Sequence, residues 1–367
     1  MLSLAPLVFA SSLGLFAQGK PTISPEVHPD HTVTFRIKAP NAKKVSVNIE
    51  GKGDVDLAIR DDGVWEGTSN TLPPDIYGYT INVDGTAMFD PMNPEIKVNL
   101  IYVSNMVTVP GDPPEPWEVQ NVPHGEVHHH FYKSGIIGDQ RDFLVYTPPG
   151  YADSRAKLPV LYLLHGFSDN AEGWTVVGKA NFILDNLIAE KKVKPMIVVM
   201  PLGYGVPGFA SHSGRNFGDR SLTTRNFTNF RSALLTEVLP MVEKQYRVSA
   251  RREDRAIAGL SMGGAETLFT GLENVDKFAY IGAFSSGGLP ANKPDDVFSD
   301  VTAESTKKLK VFWMSCGTAD GLIGFQRGFA DWCTQRGIKV TTNESGGGHE
   351  WPNWRRYLVQ FTQMIFK

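Results

Sequence analysis

The sequence predicts a two-part α/β protein: a doubly wound, mostly parallel sheet preceded by a small all-β, immunoglobulin-like sandwich. Three observations lead there. Residues 22–109 read as short alternating strands separated by turn chemistry. Residues 120–367 alternate apolar strand-like runs with helical periodicities, the pattern of a sheet covered on both faces. Between them residues 110–119 are Pro-rich (PGDPPEPW at 110–117) and read as a stiff linker.

The chain has 367 residues, enough for two domains. Lys+Arg is 36 and Asp+Glu is 39, so the net charge of −3 excludes a strongly basic nucleic-acid binder. Only Cys316 and Cys333 are present, which excludes a four-cysteine zinc site and allows at most one disulfide. Residues 2–16 (LSLAPLVFASSLGLF) carry no charge and are too few for a comfortable membrane span. Residues 1–18 are therefore expected to be a signal peptide, cleaved near Ala17 or Gln18. The expected product is secreted or periplasmic, with no membrane attachment after cleavage.

In the first part, strands are expected at Thr32–Ile37, Val45–Ile49, Val55–Ile59, Val64–Gly67, Tyr77–Val83 and Val98–Val103. Asp62-Gly63, Pro73-Pro74-Asp75 and Asp84-Gly85 mark the turns between them. In the second part, strands are expected at Phe143–Tyr146, Val160–Leu164, Met196–Met200, Arg255–Ala258, Ala279–Phe284, Val311–Ser315 and Val340–Thr342. Helices are expected at 180–190, from Phe230 to Tyr246, at 263–273 and at 353–366.

Gly259-Leu260-Ser261-Met262-Gly263 fits GxSxG, between an apolar strand and a helix. A sharp strand-to-helix turn of this kind exposes the serine hydroxyl as a nucleophile. A hydroxyl needs a base to take its proton. Of nine histidines only His349 follows Ser261, in a Gly-rich loop just past the last strand. An acid must hold that imidazole, and in chain order it falls between the two. Asp320 lies in the loop after strand Val311–Ser315, where sites form in open α/β sheets; its rival Asp331 reads as helical. Two N–H donors are needed for an oxyanion. Met262 follows the nucleophile, and Phe167 follows the strand-ending His165-Gly166.

With these residues in view, residues 142–367 resemble the feruloyl and acetylxylan esterase family, the esterase D-like branch of the α/β-hydrolases. The resemblance is carried by Val145–Tyr151, Leu161–Gly166, Trp174, Pro195–Pro201, Gly259–Gly264, Cys316–Asp320 and His349-Glu350-Trp351. The family's nucleophile, acid and base fall on Ser261, Asp320 and His349. Residues 30–95 are similar to early-set, glycogen-binding-type modules, through Ala39–Ala42 and Asp62–Glu66. A paired-Trp sugar platform is not evident there, and Trp65 reads as part of the sandwich.

The resemblance implies a serine carboxylesterase. It would remove feruloyl or acetyl groups from plant cell-wall polysaccharide such as xylan, through an acyl-enzyme, without metal or organic cofactor. Nucleic acid is not an expected partner, and the oligomeric state is open. The Gly- and aromatic-rich stretch 203–217 is expected to cover the acyl group. The candidate pocket is His165, Tyr204, Phe209 and Trp351, with Ser211, His212 or Asn216 as polar partners. His128-His129-His130 cannot converge on a metal, because successive strand residues face opposite ways. Two other readings stay open: a siderophore trilactone esterase, and a non-catalytic glycan-binding protein on a hydrolase scaffold.

Overall fold

The computed structural model describes residues 22–210, 218–291 and 293–367. The expected signal peptide and Ser211, His212 and Asn216 of the expected pocket loop lie outside the described residues.

The first domain is a nine-stranded antiparallel sheet. Its strands are β1 (Glu26–Val27), β2 (Val33–Lys38), β3 (Val45–Ile49), β4 (Gly53–Ile59), β5 (Val64–Thr68), β6 (Asp75–Val83), β7 (Thr86–Met88), β8 (Ile96–Lys97) and β9 (Ser104–Val109). Alternation sends Val33, Phe35 and Ile37 of β2, Val45, Val47 and Ile49 of β3, and Tyr77, Tyr79 and Ile81 of β6 into one core. Trp65 joins that core, and its indole N–H donates to the Ala39 carbonyl at 2.8 Å. Strand β4 pairs with β3 through Gly53–Leu57 and with β5 through Ala58 and Ile59. Strand β4 changes partner midway, so it joins the strands on the two sides of this core into one path.

One expected strand is absent. Residues 98–103 form a loop, and pairing resumes only at Ser104. The side-chain oxygen of Asn99 accepts the N–H groups of Ile101 and Tyr102 at 2.9 and 2.8 Å. That local bonding replaces a sheet ladder.

The end of the linker, Pro116–Glu118, is docked on the second domain. Trp117 is buried beneath the guanidinium groups of Arg355 and Arg356, 5.8 and 5.0 Å from its ring centre. The Asn186 amide donates to the carbonyls of Pro116 and Glu118, both at 2.8 Å.

The second domain is an eight-stranded sheet. In chain order its strands are β10 (Glu126–Lys133), β11 (Gln140–Thr147), β12 (Val160–Leu164), β13 (Ile197–Pro201), β14 (Arg255–Leu260), β15 (Tyr280–Phe284), β16 (Val311–Gly317) and β17 (Thr341–Ser345). The spatial order is β10-β11-β13-β12-β14-β15-β16-β17, antiparallel as far as β13 and parallel from there on. The helices are α1 (Gly173–Val176), α2 (Ala180–Ala189), α3 (Arg220–Ala233), α4 (Leu239–Gln245), α5 (Met262–Gly271), α6 (Ala303–Thr306), α7 (Ile323–Gln335) and α8 (Trp351–Thr362). Residues of α2 and α8 cover one face of the sheet, and residues of α3, α4 and α7 cover the other. This explains why β12 through β15 are buried on both sides and read as continuous apolar runs. The expected helix from Phe230 to Tyr246 is split by a π-turn at Leu234–Val238, next to Pro240, which has no N–H to continue the ladder. Among the described residues no helix is long and apolar enough to cross a membrane.

Candidate active site

The site is built at the carboxyl ends of β12, β14, β16 and β17. Strand β14 delivers Ser261 at φ 53°, ψ −117°, and α5 starts at the next residue. A non-glycine residue in that region is strained and must be held by its surroundings. The Ser261 N–H is fixed to the Phe284 carbonyl at 2.8 Å, and its own carbonyl takes the Ala265 N–H at 3.1 Å. Gly263 lets the β12 end come close; a β-carbon there would sit 2.4 Å from the His165 carbonyl oxygen.

His349 Nε2 lies 2.9 Å from Ser261 Oγ. Its Nδ1 lies 2.9 and 3.2 Å from the two carboxylate oxygens of Asp320. A carboxylate can only accept, so Nδ1 carries the proton and Nε2 is left to accept from the serine hydroxyl. Burial pushes the Asp320 carboxyl up, but the bonds from His349 and the Leu322 N–H outweigh it and hold the group below its ordinary value. The acid and base loops are laced together: the N–H groups of Thr318 and Ala319 donate to the carbonyls of Ser345 and Gly347 at 2.8 and 3.0 Å. The three residues singled out by motif and chain order therefore meet in one relay.

A cleft of about 200 Å³ opens over Ser261. On the α/β side its wall includes Phe167, Asp169, His349, Trp351 and Trp354. Trp351 stacks edge-on against both Trp174 and Trp354, and Trp354 lies edge-on to the His349 ring at 4.9 Å. Met262 stands next to the nucleophile, with its side chain buried away from the cleft in a cluster with Tyr204 and Phe209.

Three expected pocket residues do not reach the cleft. His165 is buried; its Nδ1 donates to the Gly166 carbonyl at 2.8 Å and its Nε2 accepts the Gly203 N–H at 2.8 Å. Burial lowers its pKa to about 4, so it stays neutral and ties two strand-end loops together. Tyr204 is buried with its hydroxyl on the Asp169 carbonyl at 2.8 Å. Phe209 is buried behind Phe167, the rings edge-on at 6.2 Å. Both aromatics support the cleft from beneath. Of the four expected pocket residues, only Trp351 lines it.

The other wall was not foreseen. Glu50, Lys97, Asn99 and Tyr102 of the β-domain line the same cleft. No local pattern marks them, because their partners lie far along the chain. Asp169 alone has a sequence signal, since it follows His165 by four residues in the same strand-end loop.

The family model named Esterase, described as "Putative esterase", matches residues 134–364. An endo-1,4-beta-xylanase/feruloyl esterase of Xylanibacter ruminicola is 30% identical over 352 residues, which is 94% of this chain and 46% of that protein. The chain thus spans less than half the length of that relative. Among solved structures, the ferulic acid esterase of Anaeromyces mucronatus is 25% identical with a TM-score of 0.60, covering 69% of this chain and 95% of its own. The enterobactin esterase of Shigella flexneri is 19% identical with a TM-score of 0.66, and covers 90% of this chain and 92% of its own. That last likeness extends the shared fold across both domains.

Proposed function

This chain belongs to the esterase family, and from that premise we propose that it is a serine carboxylesterase that removes feruloyl, or alternatively acetyl, groups from a plant cell-wall polysaccharide such as xylan. The observation that carries the reading is the unbroken relay from Asp320 through His349 to Ser261 at the floor of the cleft. Ser261 Oγ attacks the ester carbonyl while His349 Nε2 takes its proton. Asp320 holds the imidazole tautomer and stabilises the imidazolium. The N–H groups of Met262 and Phe167 receive the oxyanion. His349 then protonates the leaving sugar oxygen, the acyl–Ser261 ester forms, and water repeats the path to release the acid.

The acyl and sugar classes rest on the xylanase/feruloyl esterase relative and on the ferulic acid esterase structure. The front domain is read as an early-set, immunoglobulin-like module from its Ala39–Ala42 and Asp62–Glu66 segments. Export is proposed from the uncharged run at residues 2–16 and suits a polymeric substrate. The enterobactin esterase shares the fold across both domains, so a catechol trilactone belongs in the substrate panel as the second reading.

The test compares kcat/KM on methyl ferulate, an aryl acetate, acetylated xylan and a catechol trilactone, together with fluorophosphonate labelling. Preferred turnover of the ferulate or acetate esters with label on Ser261 supports the proposal. Preference for the trilactone overturns the substrate, and a chain that neither labels nor turns over any ester overturns the chemistry.

A further inference from the structure

Two loops of the α/β domain carry the chemistry proposed above, and the β-domain grips both. The first is the Gly166–Asp169 turn, which carries Phe167. The Leu100 N–H donates to the Ser168 carbonyl at 2.7 Å, and the Asn99 side-chain amide donates to Asp169 Oδ1 at 2.8 Å. Ser168 has φ 69°, a conformation that a residue with a β-carbon adopts only when held there. Asn99 is itself fixed, since its oxygen takes the N–H groups of Ile101 and Tyr102. Its amide is thereby aimed across the domain boundary.

The second loop, 346–350, carries His349. Glu50 Oε1 accepts the Trp351 N–H at 3.3 Å. Gly51, at φ 69°, lies so close to the Glu350 carboxylate that a β-carbon would fall 1.7 Å from Oε2. Lys97 Nζ sits 2.9 Å from Glu50 Oε1, and the other Glu50 oxygen takes the Gly78 N–H of β6 at 3.0 Å. Lys97 stands two residues before Asn99, so one short stretch of the β-domain joins the two grips.

A module that only tethers the enzyme to its polymer has no need of such contacts. An oxyanion donor must be preorganised, and displacing one by about 1 Å costs on the order of 10²-fold in rate. We propose that the β-domain is a working half of the active site, in which Asn99 is a positioning residue that holds the Phe167 turn against the carbonyl attacked by Ser261. The proposal rests on the esterase reading, and its test separates the two.

The key variant is Asn99→Asp in the full chain, assayed on methyl ferulate and an aryl acetate. It keeps the acceptor for Ile101 and Tyr102 and, assayed at about pH 9, above the value to which burial raises Asp169, sets one carboxylate against another. The expected result is a fall in kcat of about 10–100-fold with KM within about twofold. The double variant Asn99→Asp/Asp169→Asn reverses donor and acceptor, and is expected to recover most of the lost kcat. If Asn99→Asp does not fold, Asn99→Ser, which retains a short polar turn cap but cannot reach Asp169, is expected to show the same fall in kcat. Unchanged kcat in the folded variant overturns the positioning role. So does a folded double variant as slow as the single one, or a loss confined to polymeric xylan. Ser261→Ala is run beside them: turnover retained in it overturns the esterase reading itself, whereas a dead Ser261→Ala beside a full-speed Asn99→Asp overturns only the role of Asn99.

Discussion

Arg355 on α8 and Asp75 on β6, 280 residues apart in the chain, meet at 2.7 Å with both side chains out of solvent. The guanidinium also donates to the Val177 carbonyl at 2.9 Å and to the Ile76 carbonyl. Helix α8 begins two residues after His349. The ion pair therefore pins the helix that follows the proposed base onto the β-domain. It lies beside the buried cluster that Ile76, Met106 and Trp117 share with the α/β core.

Asp75→Ala leaves the Arg355 charge buried without its partner. Breaking a buried pair from one side costs about 3–5 kcal/mol. The expected outcome is a loss of that size in denaturant or thermal unfolding, with both domains melting in one transition. A loss below about 1 kcal/mol, the range of exposed pairs, would show that the two domains are only loosely attached.

Ser261→Ala and His349→Ala are each expected to lower kcat by about 10⁴-fold or more, and the double variant no further, because the residues act as one unit. Asp320→Asn is expected to be severe as well, since an amide at that position favours the wrong imidazole tautomer. Steady-state kinetics on an aryl acetate checks all of these. A mild Asp320→Asn beside a crippling Asp331→Asn would reassign the acid.

The parts of this site that were legible in the sequence are those whose logic is local or ordinal. Ser261 lies in a five-residue motif between a strand and a helix, and His349 is the one histidine after it. Asp320 follows an apolar strand. The β-domain wall had no such signal. Asn99 meets Asp169 across 70 residues and Glu50 meets Trp351 across 301, and no periodicity records contacts that long. The run Val98–Val103 is apolar enough to read as a strand, which hid the loop that Asn99 builds. A similar ambiguity affected Tyr204 and Phe209. A Gly-rich stretch with aromatics looks the same whether it lids a pocket or packs beneath one, and only burial separates the two.

That burial turns an expected specificity effect into a stability effect. Phe209→Ala removes a fully buried ring and is expected to cost about 3–5 kcal/mol. The ratio of kcat/KM for methyl ferulate to that for an acetate ester should stay unchanged, because the ring does not line the cleft. A selective collapse of ferulate turnover with stability intact would return Phe209 to the pocket.

Asp169, on the cleft wall, is expected to make the stability of the fold depend on pH. Burial pushes its carboxyl up to about 7, against the Lys97 charge and the Asn99 and Gly166 N–H groups, which pull it down; the Glu50 carboxylate pushes the same way as burial. Its ordinary value is 3.8. Between these two values the folded chain keeps a proton that the unfolded chain has released. Stability linked to this group is therefore fully present below the lower value, falls as pH rises through the window, and levels off above the upper one. Asp169→Asn has no proton to lose, and its carbonyl can still accept from Asn99. Its melting temperature should therefore gain on that of the wild type as pH rises from about 4 to about 8, with most of the gain made below about pH 7. Paired melting curves across that range decide the matter. A constant gap would mean that Asp169 is not held protonated in the fold. A gap that shrinks with rising pH would mean that Lys97 and Asn99 outweigh burial and that the group is charged throughout.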